Sequence, residues 1–112
     1  MKLIVFVLSQ VDKLDELMLA FSKANIRGST IIHSTGMAKS LIGAGGSMMS
    51  YLRTILDPQN TESRTVLTAC SDEQVQTIKD VISKVIGPLD VPGSGVLLVL
   101  PLDGSDGITI SK

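Results

Sequence analysis

Gly36-Met37-Ala38-Lys39-Ser40-Leu41-Ile42-Gly43-Ala44-Gly45-Gly46-Ser47, then Met48-Met49-Ser50-Tyr51-Leu52-Arg53-Thr54-Ile55-Leu56, then Asp57-Pro58-Gln59-Asn60-Thr61-Glu62-Ser63, divides the chain in two. A strand–helix–strand pattern precedes this stretch, and another follows it. Connections in small domains usually run to a few residues, and one this long is a candidate functional loop. Gly36 to Ser47 is glycine-rich. Ser47 to Leu56 carries Met48, Leu52, Ile55 and Leu56 at helical spacing, which predicts a short helix. Asp57-Pro58 ends it, and Gln59 to Ser63 reads as a polar loop.

Upstream, Lys2 to Leu8 is a continuous aliphatic run. It reads as a strand buried on both faces and therefore central in a sheet. Ser9 is the expected N-cap of a helix carrying Leu14, Leu17, Met18 and Phe21 on one face. Asn25 and Gly28 bracket its stop, and Ser29 to Thr35 alternates as a second strand. Downstream, Arg64 to Cys70 is the third strand. Ser71 with Gln74 forms a capping box, and Val75, Ile78, Ile82 and Val85 make the apolar stripe of a second helix. Gly87-Pro88 stops that helix, and Asp90 to Gly95 is a turn-rich loop. Val96 to Leu100 is the fourth strand. Asp103 to Gly107 is a turn, and Ile108 to Ser111 is expected as a short terminal edge strand.

The order β-α-β-insert-β-α-β predicts a ferredoxin-like α+β sandwich. A single domain over 1–112 carries it, with 36–63 inserted after the second strand. Two helices would cover one face of a four-stranded antiparallel sheet. Leu3 to Leu8 and Val96 to Leu100 are apolar at both alternations, so the other face also needs a cover. A homo-oligomer, three sheets around an axis, would supply one.

Composition narrows the function. The chain is 44% hydrophobic and 19% charged, an ordinary globular balance. Phe6, Phe21 and Tyr51 are the only aromatic residues and the formal charge is −1. That disfavours nucleic acid, which needs cationic surface and stacking platforms. Cys70 is the one cysteine and His33 the one histidine, so neither an internal disulfide nor a thiol metal site is available. No stretch approaches a membrane span, and the apolar start is too short for a signal peptide. A cytoplasmic location is expected. No acid–base or nucleophile constellation is visible, so an enzyme is not expected. Cys70 reads as a small buried residue and His33 as a structural one.

Met1 to Val5, Lys13 to Leu17, Ala24-Asn25-Ile26-Arg27-Gly28-Ser29-Thr30, Ser71-Asp72-Glu73 and Gly93-Ser94-Gly95 resemble, in order and spacing, the PII nitrogen-regulatory signalling family. The resemblance covers most of the chain outside the insert. It implies a homotrimer that binds ATP or ADP between subunits. It also implies a long loop after strand 2, the T-loop, that docks on a target protein. Gly36 to Ser63 sits in that position. Gly36-Met37-Ala38-Lys39-Ser40 stands where the family has Gly-Phe-Gly-Arg-Gln. Gly93-Ser94-Gly95-Val96 stands where it has Gly-Asp-Gly-Lys, so the family's phosphate-binding lysine is absent.

The ligand-binding candidates are therefore Thr30, Gly36, Met37, Ala38, Lys39, Ser40, Gly93, Ser94 and Gly95. Met48, Met49, Tyr51 and Arg53 are candidates for contact with the target. ATP, ADP or AMP is the candidate effector class. The rival expectation is a trimeric CutA-like or other ferredoxin-like binding protein without nucleotide.

Overall fold

The computed structural model describes residues 1–36, 62–91 and 93–108. Strand β1 is Lys2–Leu8, helix α1 is Leu14–Lys23, and strand β2 is Thr30–Ser34. Strand β3 is Ser63–Cys70, helix α2 is Gln74–Ile86, and strand β4 is Gly95–Pro101. The sheet order is β2-β3-β1-β4, with every neighbouring pair antiparallel. This is the ferredoxin-like α+β arrangement, and β1 is central as its aliphatic run requires. The helix expected over Ser47 to Leu56 lies outside the described residues. So does the terminal strand beyond Ile108, and Ile108 itself is not in a strand.

Strand periodicity sorts the side chains onto two faces. Ile4, Phe6 and Leu8 of β1 meet Val66, Thr68 and Cys70 of β3 beneath the helices. Leu17 and Phe21 of α1 and Ile78 and Ile82 of α2 close over them, and all ten of these residues are buried. Thr68 is the polar member of that layer, and Ser29 satisfies it, with the hydroxyls 2.7 Å apart. A buried hydroxyl with a partner avoids the cost of an unmade hydrogen bond.

The opposite face holds Leu3, Val5 and Val7 of β1, Leu67 and Ala69 of β3, and Val96, Leu98 and Leu100 of β4, and toward its β2 side Ile32 stands among the hydroxyl residues Thr30, Ser34, Ser63 and Thr65. No charged residue shares it among the described residues. No element of the described chain covers it, and Val96 and Leu98 are half exposed.

Local signals fare unevenly. Ser9 does not cap a helix with its side chain. A 3₁₀ turn over Val11–Lys13 intervenes before α1, and neither start has a side-chain cap bond. The Ser9 carbonyl instead accepts from Val11 N–H at 3.1 Å, beginning that turn. Asn25 and Gly28 both take the left-handed backbone expected of a helix exit. The Ser71–Gln74 pair forms half of a capping box. Gln74 Oε1 accepts from Ser71 N–H at 3.0 Å, and the Ser71 hydroxyl donates to the same oxygen at 3.3 Å. Gly87 ends α2 with φ at 99°.

Candidate functional site

The two ends of the sheet carry different chemistry. One end is the neck of the insert, where β2 leaves at Ser34 and β3 begins at Ser63. These two residues are directly paired. Ser34 Oγ lies 2.8 Å from Ser63 Oγ and 2.8 Å from Thr65 Oγ1, and Ser63 Oγ donates to the Ser34 carbonyl at 3.0 Å. These short hydroxyls continue the backbone ladder with a side-chain zipper. The chain therefore enters and leaves the insert at a fixed separation.

Arg64 stands beside this neck. Its guanidinium donates to the Ser63 carbonyl at 3.0 Å and to Glu62 Oε2 at 3.4 Å. Sequence reasoning missed this cation. Spacing gave no hint of it, because Arg64 lies between a polar loop and a strand and belongs to no motif.

Gly93-Ser94-Gly95 lies at the same end of the sheet, because Gly95 is paired with Leu8 and Leu8 with Arg64. Gly93 has φ at 84°, and Ser94 N–H donates to the Val91 carbonyl at 3.2 Å, which closes a tight turn. Ser94 is buried, while Gly93 is exposed. Gly95 has a separate packing reason to be glycine. A Cβ there would lie 2.6 Å from the Val7 carbonyl oxygen and 3.0 Å from the Phe6 ring, and φ is 144°. Only a residue without Cβ fits so close an approach.

The other end holds a cavity of about 360 Å³. Leu3 and Leu67 of the open face line it together with Arg27, Thr30, Gln74 and Ile108. Gln74 also holds the start of α2 through Ser71. Arg27 supplies a cation and Thr30 a hydroxyl. The volume falls within the range of small-ligand pockets.

The candidate ligand residues are thus distributed. Thr30 lines the cavity with Arg27. Gly36 follows β2 at the neck end, and Gly93 to Gly95 sits at that same end. β2 and β4 are the two outer strands, so Gly36 and Gly95 are three strand spacings apart, about 14 Å. One copy of the described chain does not bring the three groups together. Met37, Ala38, Lys39 and Ser40 lie outside the described residues, as do Met48, Met49, Tyr51 and Arg53.

Other reactive groups are quiet. Burial pushes the Cys70 thiol up from its ordinary value, which keeps it protonated and a poor nucleophile. Among the described residues no cluster of His, Cys, Asp and Glu could hold a metal ion. Among them also, no helix is long and apolar enough to cross a membrane. His33 is exposed on β2, opposite Arg64.

No family model matches the chain, and no curated protein matches it as a relative.

Proposed function

We propose that this is a PII-like regulatory protein. It senses a small effector in clefts between copies of itself and acts on a target protein through the inserted loop. The observation that carries the reading is the distribution of the ligand candidates. A neck clamped by Ser34, Ser63 and Thr65 sits at one end, a glycine turn sits on the far edge, and the Arg27–Thr30 cavity sits away from both. A cleft between copies unites such groups, and one copy does not. The apolar open face gives the copies a reason to associate, and a homotrimer is the assembly the resemblance implies.

In this reading the effector biases the order of Gly36 to Ser63, an order–disorder switch that exposes or hides the target-contacting residues. Met48, Met49, Tyr51 and Arg53 are those contacts. The protein is a cytoplasmic sensor of nitrogen or related metabolism, and it is not a catalyst. An adenine nucleotide is the proposed effector. Arg27, Arg64 and Lys39 are the cations at hand, and fewer phosphates suit them better than three.

The second reading keeps the trimer and drops the nucleotide, as in CutA-like proteins. The Gly93–Gly95 turn favours it, since that turn carries no cation of its own and Gly95 is accounted for by packing. Thermal shift against ATP, ADP, AMP, cyclic nucleotides and 2-oxoglutarate separates the two. A ligand specific to the native state raises the midpoint by mass action. A rise with at least one nucleotide, reduced in Arg27→Ala, is expected for the sensor. No response to any of them at millimolar concentration leaves the nucleotide-free reading.

A further inference from the structure

The segment that leaves β4, Leu102-Asp103-Gly104-Ser105-Asp106-Gly107-Ile108, contains the same pair of residues twice. Asp103 and Asp106 are the only aspartates of the chain with glycine next in sequence, and no asparagine has one. Lysine, glutamate, proline or valine follows the others. The difference is chemical. The main-chain nitrogen of the next residue can attack an aspartate carboxyl and close a succinimide ring. A side chain on that next residue hinders the approach, and glycine has none.

The structure leaves this attack open. Asp103, Gly104, Asp106 and Gly107 are all exposed. Among the described residues, neither glycine N–H donates a hydrogen bond, and neither carboxylate has an ion-pair or hydrogen-bond partner. Nothing lies within 4 Å of where a Cβ would stand at Gly104 or Gly107. Asp80, by contrast, lies inside α2, where the next nitrogen belongs to the helix ladder. The exit segment is tied down at its start and middle. Leu102 N–H donates to the Met1 carbonyl at 3.2 Å, and the Ser105 hydroxyl donates to Met1 Sδ at 3.3 Å. Among the described residues no such bond holds Asp106 or Gly107. Exposed loop segments of this kind are where chemical change concentrates.

The two pairs are not equivalent. Gly107 has φ at 82°, in the left-handed region, and Gly104 does not lie there. The backbone therefore requires a glycine at 107, and that requirement keeps an unhindered nitrogen beside Asp106. Gly107 and Ile108 also line the cavity shared with Arg27 and Thr30.

We propose that Asp106 is a site of spontaneous isomerisation to isoaspartate in the folded protein. The Gly107 nitrogen attacks Asp106 Cγ and loses its proton, while the protonated carboxyl loses hydroxide, so one water leaves and the imide forms. Water then adds to either imide carbonyl. Addition at Cγ restores aspartate. Addition at the main-chain carbonyl gives isoaspartate, in which the chain runs through Cβ and Cγ and the α-carboxylate becomes the side group. Nothing is oxidised or reduced. The main chain gains one carbon immediately before Gly107 and Ile108, so the product alters the wall of the cavity. The proposal is independent of the assembly and of the effector.

Peptide mapping by mass spectrometry, with isoaspartyl methyltransferase labelling of the purified full chain, tests it. Wild type held at neutral pH, well below its unfolding midpoint, is expected to accumulate isoaspartate at residue 106, through a species lighter by one water. The rate is expected to be within severalfold of that in urea. Asp106→Glu, whose longer arm closes a ring far more slowly, is expected to lose the signal at 106 and keep the circular dichroism of the wild type. Folded protein that stays unmodified at 106 while the urea-unfolded chain is labelled would show that the fold protects the site, and would overturn the proposal. So would label at Asp103 alone in the folded wild type, or label that persists undiminished at 106 in Asp106→Glu.

Discussion

Strand β1 shows the two faces of the sheet side by side. Ile4, Phe6 and Leu8 are buried to 1% or less under α1 and α2, while Leu3, Val5 and Val7, equally aliphatic, are only partly covered. A sheet with one wet face usually alternates apolar and polar residues. This one does not, from Leu3 on β1 through Leu67 on β3 to Leu98 on β4. The difference teaches that the helix-covered face holds one copy together, while the open face is the surface that the proposed assembly would cover. Mutations on the first should act on folding, and mutations on the second on assembly.

The largest effect should come from the covered face. Phe6→Ala removes a fully buried ring and leaves a cavity, at a cost of about 3–5 kcal/mol. Urea unfolding of the variant should show that loss at every protein concentration. A loss under about 1 kcal/mol would mean that the layer beneath the helices is not the main core.

Gly95→Ala should come next. The added Cβ meets the Val7 carbonyl and the Phe6 ring, and the backbone there is strained for any other residue. An expected cost of about 1–3 kcal/mol combines overpacking and strain. A neutral substitution would show that the β1–β4 approach is slack.

Leu98→Lys probes the open face, and the contrast with Phe6 is the point. At concentrations where the chain is a single copy its stability should change by no more than about 0.5 kcal/mol. Its apparent mass at higher concentration should fall. A variant that unfolds outright would put Leu98 in the core of one copy and erase the distinction.

The smallest effect lies at a sheet end that belongs to neither face. The Met1 ammonium donates to Asp72 Oδ1 at 3.1 Å. That hydrogen bond and the ammonium's charge hold the Asp72 carboxyl below its ordinary value. A carboxylate with a lowered value in the folded state stabilises above its unfolded value and loses that contribution as pH falls through the folded one. Asp72 is exposed, so the slope should be slight. Thermal unfolding of Asp72→Asn between neutral pH and pH 3 should show less acid destabilisation than the wild type. Equal acid slopes would show that the pair adds nothing.

The fold was legible because its signals are local. Aliphatic runs, helical stripes and the Gly87-Pro88 stop each lie within a dozen residues, and their order admits few topologies. What was illegible depends on residues far apart. Val96 to Leu100 reads as a buried strand, yet in one copy it is an outer strand, a position fixed only by its pairing with Lys2–Leu8. Gly95 reads as part of a phosphate cradle, and its contact with Val7 and Phe6 crosses nearly the whole sequence. Arg64 gains its place beside the neck only when β3 pairs with β2. The site was half legible for the same reason. Thr30 falls beside a real cavity with Arg27, while Gly36 and Gly93 to Gly95 are separated by the width of a sheet that no motif spacing reveals.

The central claim is that the open face and its outer strands are covered by further copies of this chain. Light scattering on the purified wild type across micromolar concentrations tests it most directly. A mass that is a whole multiple of the 11.9 kDa chain, three-fold for the proposed trimer, and that falls in Leu98→Lys, is the predicted result. A mass of 11.9 kDa throughout would contradict it.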